Sequence, residues 1–297
     1  MDGVSVCMMP GDVLAAVVLY HPPDTFLANL KALLANGVEV LLVDNTPGDY
    51  PLRSQLLDLR GPGLNYVGFG ENLGIGTALN EAGRAAQRGG YAWLLTLDQD
   101  SLVANNYIQL MADVLSTIPE PDTVGILAPS LSHARLGGKP WKPVTLAITS
   151  GSLVRVGLFE QVGWFDESLF IDYVDFDYCA RLRKANFRVI IASFVRLQHQ
   201  IGTPSKVDLP LLAIRTLNHA PIRRYYKFRN RIAMFRRYAL RFPGWISRDL
   251  LSALLEPVKI LVLEEDSIEK LRMIVWGTWD GLCGRHGPAP GRRLKRD

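Results

Sequence analysis

The sequence predicts an α/β fold: a doubly wound, mostly parallel, Rossmann-like sheet followed by a helical C-terminal extension. Three observations lead to this prediction. Apolar runs of strand length alternate with helical segments in the first third of the chain, and helical periodicity replaces this alternation from about Pro210 onward. The chain has 297 residues, of which 48% are hydrophobic, so it can bury a full core. We expect an α/β domain over residues 1–205 and a helical extension over residues 206–297.

The elements of the first third follow one another as strand and helix. Strands are predicted at Val13–Leu19, Val38–Val43, Leu64–Val67 and Tyr91–Leu97, and helices at Thr25–Ala35, Leu52–Leu59 and from a glycine-rich loop at residue 74 to about Gln87. Further along, we expect a strand at Val124–Ala128, a short helix at Phe159–Val162, a helix from Asp175 to Ala185 and a strand at Arg188–Ala192.

Composition and charge exclude several functional classes. The three cysteines (Cys7, Cys179 and Cys283) lie far apart without a CxxC pair, which argues against a disulfide framework or a zinc site and predicts the reducing cytoplasm. The longest apolar runs are strand-sized, so we expect a soluble protein, peripheral to a membrane at most. Basic residues crowd residues 223–241 and 285–296, yet no nucleic-acid-binding motif accompanies them. Nucleic acid is therefore the least favoured partner.

The most informative stretch is the apolar run Leu94–Leu97, which ends in Asp98-Gln99-Asp100. Side chains two residues apart in an extended chain lie on the same face, so both carboxylates can address one ligand. In α/β sheets, ligands bind where strands end. Two close carboxylates need a cation or a proton to relieve their repulsion. The local alternative is a polar turn after a buried strand.

Other polar residues also follow predicted strands. Asp44 could accept hydrogen bonds from a nucleobase or a ribose, or simply build the turn that follows it. Gly74 and Gly76 open a helix with Asn72 and Asn80 nearby, an arrangement that lets backbone amides approach a ligand. This is not the dinucleotide-binding fingerprint, because the third glycine or alanine is missing and the loop does not follow the first strand.

A second acidic cluster lies among aromatic residues. Asp172, Asp175 and Asp177 precede or begin a predicted helix, where they could complement its dipole, and Asp177 could pair with Arg181 at i,i+4. Partial desolvation beside Phe and Tyr could instead raise a carboxyl pKa toward that of a general base. His199 follows a predicted strand and is either a structural histidine or a third metal ligand or diphosphate contact.

The order of these motifs resembles that of the bacterial family-2 glycosyltransferases with a GT-A fold, over nearly the whole chain. Within that family it is similar to the rhamnosyltransferases of rhamnolipid and O-antigen synthesis. The similarity rests on the following stretches: His21-Pro22, Asp44-Asn45, Asn72 to Asn80, Leu97 to Ser101, Phe170-Ile171-Asp172, Arg224-Tyr225-Tyr226, Arg229-Asn230, and Trp276 to Leu282.

The resemblance implies a dTDP-L-rhamnose donor and a divalent metal ion, Mg²⁺ or Mn²⁺. It implies that Asp44 contacts the nucleobase, that Asp98 and Asp100 meet the metal at the diphosphate, and that His199 lies near them. Asp175 matches the general base. Many relatives have Glu-Asp before this helix where this chain has Val174-Asp175, so Asp172 is the fallback. The remaining residues of the implied nucleotide-sugar site are His21, Asn72, Gly74, Gly76, Asn80 and Gln99.

We therefore expect an inverting transfer of rhamnose to a glycan or lipid-linked acceptor, with peripheral contact at the cytoplasmic face of the inner membrane as an option. The basic, aromatic C-terminal segment could lie on an anionic leaflet, or form a helical subdomain with solvated arginines. Alternatives are a relative that uses another nucleotide sugar, and a nucleotide-sugar-binding subunit without catalysis. A hydrolase or phosphotransferase is disfavoured because the sequence has no Walker-type loop.

Overall fold

The structure is a computed structural model that describes residues 8–131, 138–199, 205–209, 212–216 and 218–291. Its strands are β1 (Val13–Leu19), β2 (Glu39–Asp44), β3 (Leu64–Gly68), β4 (Trp93–Asp98), β5 (Ser101–Leu102), β6 (Val124–Ser130), β7 (Trp141–Val144), β8 (Ser152–Arg155), β9 (Arg188–Arg196), β10 (Gln198–His199), β11 (Ser205–Leu209) and β12 (Leu212–Thr216). Its helices are α1 (Phe26–Leu34), α2 (Pro51–Asp58), α3 (Ile75–Arg88), α4 (Tyr107–Ser116), α5 (Phe159–Val162), α6 (Val174–Lys184), α7 (Pro221–Tyr238), α8 (Pro243–Leu263) and α9 (Ser267–Leu282).

Among the described strands, eight form one mixed sheet in the order β3-β2-β1-β4-β8-β6-β9-β7. The first four are mutually parallel, β8 runs antiparallel to β4 and β6, and β7 runs antiparallel to β9. β2 and β3 lie on one side of β1 and β4 lies on the other, so the strand order reverses between β1 and β4. Such a switch point is where open α/β sheets bind ligands.

The sheet has its core around β1, whose seven residues are all buried. The near-continuous apolar sequence of this strand is typical of a parallel strand covered on both faces. On one face, α3 approaches an aromatic cluster so closely that a Cβ on Gly83 would lie 2.9 Å from Trp164 and 3.0 Å from Phe159. Phe159 and Trp164 stack with ring centroids 4.8 Å apart. The small residue in α3 therefore sets how closely helix and aromatic side chains can pack.

The chain divides into two units. The α/β unit holds the described residues up to Phe165 together with Asp175–His199, and the helical unit holds Asp166–Val174 and the described residues from Ser205 onward. The segment Asp166–Val174 is thus an excursion of the chain from one unit into the other. Nothing in the sequence pattern indicated this excursion.

In the helical unit, α7 and α9 approach each other at two glycines. A Cβ on Gly277 would lie 2.2 Å from the carbonyl oxygen of Tyr225, and one on Gly281 would lie 2.7 Å from that of Arg229. The hydroxyl group of Tyr225 also donates a hydrogen bond to Asp280 Oδ2 at 2.7 Å. The C-terminal Trp-Gly-x-Trp-Asp-Gly sequence therefore provides a face on which two helix backbones come into contact.

Most predicted elements are confirmed, with borders that coincide or shift by up to four residues. The prediction of helix from about Pro210 onward is wrong at its start, because Leu212–Thr216 pairs antiparallel with Ser205–Leu209 and the first helix of this region begins at Pro221. A short apolar run does not distinguish strand from helix by its periodicity, and the pairing partner decides. Helix α4 and strand β7 had no counterpart in the prediction.

No helix among the described residues is long and apolar enough to cross a membrane.

Candidate active site

The candidate site lies at the carboxyl ends of β2, β1 and β4. In the parallel register, Leu19 of β1 is paired with Asp44 of β2, and Val18 of β1 is paired with Asp98 of β4. Asp44 and Asp98 thus end the two strands that flank β1. Because β1 and β4 enclose the switch point, the structure places the predicted carboxylates at the edge where a ligand is expected.

The turn that follows β4 is held in place by its neighbours. The backbone N–H of Asp98 donates to the Ser150 hydroxyl at 3.1 Å, and this hydroxyl lies 2.6 Å from that of Ser101. The Gln99 side chain accepts a hydrogen bond from the backbone N–H of Tyr20 at 2.8 Å and donates one to its carbonyl oxygen at 3.0 Å. The predicted ligand residue Gln99 therefore joins the ends of β1 and β4, and it fixes the direction of the turn that carries Asp100.

His21 directly follows this clamped peptide. Its backbone has a positive φ of 47°, and its N–H donates to the hydroxyl group of Thr46 at 2.9 Å. His21 is exposed, and its ring makes an edge contact with the Tyr20 ring, with centroids 4.6 Å apart. The structure thus places His21 beside the ends of β1 and β2, and its contact with a ligand there stays a prediction.

The structure also brings the backbone of His199 to the acidic turn. β10 pairs antiparallel with β5, and His199 lies opposite Ser101, the residue that follows Asp100. Residues directly opposite each other in an antiparallel pair have Cα atoms about 4.5–5.5 Å apart. Two sequence segments almost a hundred residues apart therefore meet at the predicted metal site.

The residues at this turn fit a divalent cation in part. Asp98 and Asp100 offer hard oxygen ligands of the kind that Mg²⁺ and Mn²⁺ prefer, on a turn fixed by Ser150 and Gln99. Within the part of the chain that the structure describes, no group of three His, Cys, Asp or Glu side chains is arranged to hold a metal ion. Two carboxylates alone match a Mg²⁺ site in which substrate phosphates and water complete the coordination shell.

Asp44 lies at the centre of a buried hydrogen-bond network. Its side chain is fully buried, and Oδ2 accepts hydrogen bonds from the Tyr50 hydroxyl at 2.8 Å, from the Tyr66 hydroxyl and from Arg53 at 3.1 Å. The backbone N–H of Thr46 donates to Oδ1 at 2.9 Å. Burial alone would raise the pKa of Asp44, but the hydrogen bonds from Tyr66, Thr46 and Tyr50 outweigh it and lower that pKa. Burial and this carboxylate together raise the pKa of Tyr66 to about 12.

These partners of Asp44 were not predicted from the sequence. Tyr50 and Arg53 are three residues apart at the start of α2, directly after the turn that follows Asp44. That spacing, with an aromatic hydroxyl and a guanidinium group on one helix face, was the available signal. Ser150 was missed as well, since its role depends on a hydrogen bond to a strand 52 residues away in the chain.

The glycine-rich loop is built by asparagine side chains. Asn72 accepts a hydrogen bond from the N–H of Gly74 at 3.0 Å, and Asn45 accepts one from the N–H of Leu73 at 2.8 Å. Gly74 caps α3 with a φ of 88°, which a residue with a side chain rarely adopts, and Gly76 is buried in the first turn of that helix. The loop that follows β3 is therefore held to Asn45 and leads into a helix N-terminus, and the approach of its backbone amides to a ligand stays a prediction.

Asn80 is placed differently from its neighbours. It is 1% exposed, and its side-chain amide donates to the carbonyl oxygen and accepts from the N–H of Phe165, both at 2.9 Å. The structure therefore gives Asn80 a role in holding the chain at Phe165, and its role as a ligand contact stays a prediction.

The interpretation of Asp177 as a helix-pairing residue is confirmed. Asp177 accepts a hydrogen bond from Arg181 Nε at 2.8 Å, one helical turn further along α6. Arg181 also donates to the carbonyl oxygens of Val162, Gly163 and Trp164 at 2.7–2.8 Å. This ion pair fixes the chain just before it leaves the α/β unit at Phe165.

Asp175 and Asp172, the two candidate bases, belong to different units. Asp175 is the second residue of α6 in the α/β unit and is half-buried. Asp172 belongs to the helical unit, where Arg223 donates to its Oδ1 at 3.2 Å, while no described group bonds to its buried Oδ2. Burial raises the pKa of Asp172, and the positive charges of Arg223 and Lys227 offset part of that rise.

A mixed sheet with an acidic turn at its switch point and an appended helical unit is the architecture of a nucleotide-sugar glycosyltransferase of the GT-A type. Residues 15–161 match the model of glycosyl transferase family 2. Residues 15–161 therefore form a domain of that family, and the chain is a glycosyltransferase.

Its relatives include rhamnosyltransferases. The chain is 28% identical to the dTDP-rhamnosyl transferase RfbF of Shigella flexneri, over 94% of this chain and 98% of that protein. It is 29% identical to the N-acetylglucosaminyl-diphospho-decaprenol L-rhamnosyltransferase of Mycobacterium tuberculosis, over 63% of this chain and 76% of that protein.

Solved structures confirm the fold at low identity. The structure of S. aureus TarS residues 1–349 in complex with UDP-GlcNAc matches 93% of this chain and 73% of its own, with a TM-score of 0.52 and 14% identity. The structure of GalNAc-T7 with UDP, GalNAc and Mn²⁺ matches 63% of this chain and 43% of its own, with a TM-score of 0.53 and 12% identity.

Proposed function

We propose that this glycosyltransferase moves L-rhamnose from dTDP-L-rhamnose to a hydroxyl group of a glycan or lipid-linked acceptor. The observation that carries the proposal is the fixed acidic turn Asp98-Gln99-Asp100 at the switch point, in a chain similar over nearly its whole length to a dTDP-rhamnosyl transferase. A family-2 enzyme that uses another nucleotide sugar would have the same turn, so the choice of donor rests on the relatives.

The roles of the residues follow from their places. Asp98 and Asp100, with His199 in register beside them, would hold Mg²⁺ or Mn²⁺, and a bound cation supplies positive charge against the leaving diphosphate. Asp44 and its tyrosines form the part of the site that meets the nucleoside. The amides at the start of α3 lie on the same side of the sheet as these carboxylates, since they follow the end of β3.

The transfer itself is a single displacement. The acceptor oxygen attacks the anomeric carbon on the face opposite the diphosphate, and the bond from that carbon to the diphosphate oxygen breaks. The diphosphate leaves with the bonding electron pair as dTDP, and Asp175 takes the proton of the acceptor hydroxyl. The configuration at the anomeric carbon is inverted.

The test is release of dTDP from dTDP-L-rhamnose, compared with a panel of other nucleotide sugars, with and without Mg²⁺ or Mn²⁺. Asp98→Asn should lower the release rate by about two to three powers of ten, because it removes one contact that stabilises developing charge. The matched control is Asp113→Asn, a change at an exposed carboxylate of α4. Binding of donor without release, with any acceptor fraction, would favour a non-catalytic nucleotide-sugar-binding subunit.

For the acceptor, we propose a lipid-linked molecule met at a membrane surface. The name of the mycobacterial relative describes a decaprenol-linked acceptor. We do not place the basic segment 223–241 on the leaflet in this proposal, because three of its arginines are buried. Arg224, Arg229 and Arg231 of α7 are each less than 5% exposed. Arg236 and Arg237 of the same segment are exposed, so the alternative of solvated arginines stays a prediction.

Helix α8 offers a surface of another kind, because its polar side faces inward. Asp249 and Glu256 of this helix bind Arg231, Arg224 and Lys227 in the interior of the helical unit. The outward face is apolar at helical spacing and is formed by Leu251, Leu254, Leu255, Val258, Leu261 and Val262, with exposures of 50–74%. The exposed charged residues of this helix are Arg248 and Lys259, both basic, which suits an anionic lipid surface.

Flotation with phosphatidylglycerol-containing vesicles tests this contact. The double change Leu254→Glu and Val258→Glu should lower binding by about tenfold or more, because it places charge on the face that enters the lipid. Leu59→Glu is the control, since Leu59 is 52% exposed in the α/β unit. Equal binding by both variants, or wild-type binding to neutral vesicles alone, would contradict the contact.

A further inference from the structure

The segment Phe170–Tyr173, which precedes α6, has an unusual backbone. Three of its four residues have positive φ: Phe170 at 64°, Asp172 at 63° and Tyr173 at 67°. None of them is a glycine, so each side chain meets the backbone in a conformation that L-residues rarely adopt. Such a conformation persists only where surrounding contacts impose it.

Two consecutive side chains of α7 impose it. Asn230 donates from its Nδ2 to three carbonyl oxygens, those of Leu169 at 2.8 Å, Ile171 at 2.8 Å and Asp172 at 3.0 Å. Arg229 donates to the carbonyl oxygens of Leu169 at 2.9 Å and Ser168 at 3.3 Å. The two side chains also bind each other, from Arg229 Nε to Asn230 Oδ1 at 3.0 Å.

This arrangement differs from ordinary helix packing. Asn230 is 0% exposed and Arg229 1% exposed, so both side chains are desolvated while they donate to backbone carbonyl oxygens of residues 168–172. Arg236, two turns further along α7, donates to the carbonyl oxygens of Gly281 and Leu282, which are the last carbonyls of helix α9. That second contact is an ordinary helix end, and it offers a matched comparison on the same helix.

The segment that Arg229 and Asn230 hold contains one candidate base and precedes the other in the chain. Asp172 projects from it with a buried oxygen that no described group satisfies, and Asp175 follows three residues later in the chain. An unsatisfied buried carboxylate oxygen is costly unless a ligand meets it in the working enzyme.

From these observations we infer that Arg229 and Asn230 are positioning residues, which hold the segment Ser168–Tyr173 so that the carboxylates at and after it meet the acceptor hydroxyl in one fixed geometry. The catalytic consequence of this inference rests on the proposed transferase function. The hydrogen bonds by which Arg229 and Asn230 hold the segment rest on the structure alone. It assigns a purpose to the Arg-Asn pair of the rhamnosyltransferase-like stretch of α7.

The test compares Asn230→Ala and Arg229→Lys with Arg236→Lys in the full chain. Hydrogen exchange should become about tenfold faster at the amides of residues 168–175 in the first two variants and stay at the wild-type rate in the third. The kcat for dTDP release should fall by about a hundredfold in Asn230→Ala with the donor KM within about twofold, because displaced carboxylates lose orientation and the donor site is untouched. Arg236→Lys should keep its kcat.

Two results would overturn the inference. One is unchanged hydrogen exchange at residues 168–175 in both Asn230→Ala and Arg229→Lys. The other is a kcat that falls equally in Arg229→Lys and Arg236→Lys, which is the behaviour of a general loss of stability. If Asn230→Ala does not fold, the comparison of the milder variants Arg229→Lys and Arg236→Lys still tests the inference. If wild-type protein releases no dTDP from any donor, the proposed function fails, while the exchange experiment still reports on the hydrogen bonds of Arg229 and Asn230.

Discussion

At the scale of single residues, Asp44 shows how this protein keeps a carboxylate charged without water. The side chain is fully buried, and four donors surround its two oxygens. Hydrogen bonds to the charged form of an acid stabilise that form, so they compensate for lost hydration. The Asp44 carboxylate is therefore preformed as an acceptor, with Tyr50 and Tyr66 beside it.

The network should make stability depend on pH through Asp44. Because the pKa of Asp44 is lower in the folded protein than in the unfolded chain, its stabilising effect is present above the unfolded pKa of 3.8 and is lost as pH falls through the folded value. Asp44→Asn should lower the free energy of unfolding by roughly 1–3 kcal/mol at pH 7. The difference from wild type should shrink below about pH 4. Chemical denaturation between pH 7 and 3 measures it, with Asp58→Asn at an exposed site as control.

Two aspartates of α6 should separate chemistry from stability. Asp175→Asn should lower kcat by about two to four powers of ten, since it removes the proposed base, with little change in the free energy of unfolding. Asp177→Asn should do the reverse, because its partner Arg181 loses an ionic contact of 2.8 Å, at a cost of roughly 1–3 kcal/mol. Steady-state kinetics and thermal unfolding on both proteins check this. Equal loss of activity in both, per folded molecule, would leave Asp175 without a catalytic role.

At the scale of elements, α7 and α9 come into contact because two positions of α9 are glycines, which have no side chain. The Cβ positions at Gly277 and Gly281 are filled by the backbone and side chains of α7. Backbone cannot move aside as a flexible side chain can, so these positions tolerate nothing larger than glycine without separating the helices.

Gly277→Ala should therefore destabilise the helical unit by about 1–3 kcal/mol or more, despite the better helix propensity of alanine. Gly244→Ala is the matched control, because Gly244 lies in α8 with nothing within 4 Å of its Cβ position. That substitution should be neutral or stabilise by up to about 1 kcal/mol. Thermal unfolding of the two variants gives the comparison, and a loss no larger than that of the control would show that the helices can separate at low cost.

The elements also show which parts of the fold the sequence could predict. β2 and β4 are largely apolar runs bounded by turn residues, and their ends placed Asp44 and Asp98 correctly at one edge of the sheet. The β11–β12 hairpin was mistaken for helix because a short apolar run has no period that a strand alone would give. The partners Ser150, Tyr66 and Asn230 form hydrogen bonds across long sequence separations, and local residue spacing does not predict such contacts.

At the scale of the whole molecule, the two units differ in what holds them together. The α/β unit has a conventional apolar core around its sheet. The helical unit buries a charge network beside its smaller apolar clusters, in which Arg224 binds Glu256 and Glu264, and Lys270 binds Glu264 at 3.0 Å. Buried ion pairs are stable only while both partners stay charged, so the stability of the helical unit also depends on proton concentration.

His219, beside this network, should make the helical unit sensitive to mild acid. Burial, together with the positive charges of Arg223, Arg224 and Lys227, lowers the pKa of His219 to about 4. The stability that comes from its neutral form is therefore present above the unfolded pKa of 6.5 and is lost as pH falls toward 4. Relative to the intrinsic exchange rate at each pH, the protection of amides in α7–α9 should fall from pH 6.5 to 4.5, and His219→Gln should remove that part of the dependence. An unchanged profile in the variant would contradict this origin.

The excursion of Asp166–Val174 has a consequence for anyone who wishes to recombine this protein. The chain enters the helical unit, returns at Asp175 and enters it again after His199, so no single cut in the sequence separates the two units. A truncation near residue 205 would strand nine residues whose hydrogen-bond partners are Arg223, Arg229, Asn230 and Arg237. A functional chimera with a relative must therefore exchange the segment Asp166–Val174 together with the C-terminal helices, and both pieces must come from the same parent protein.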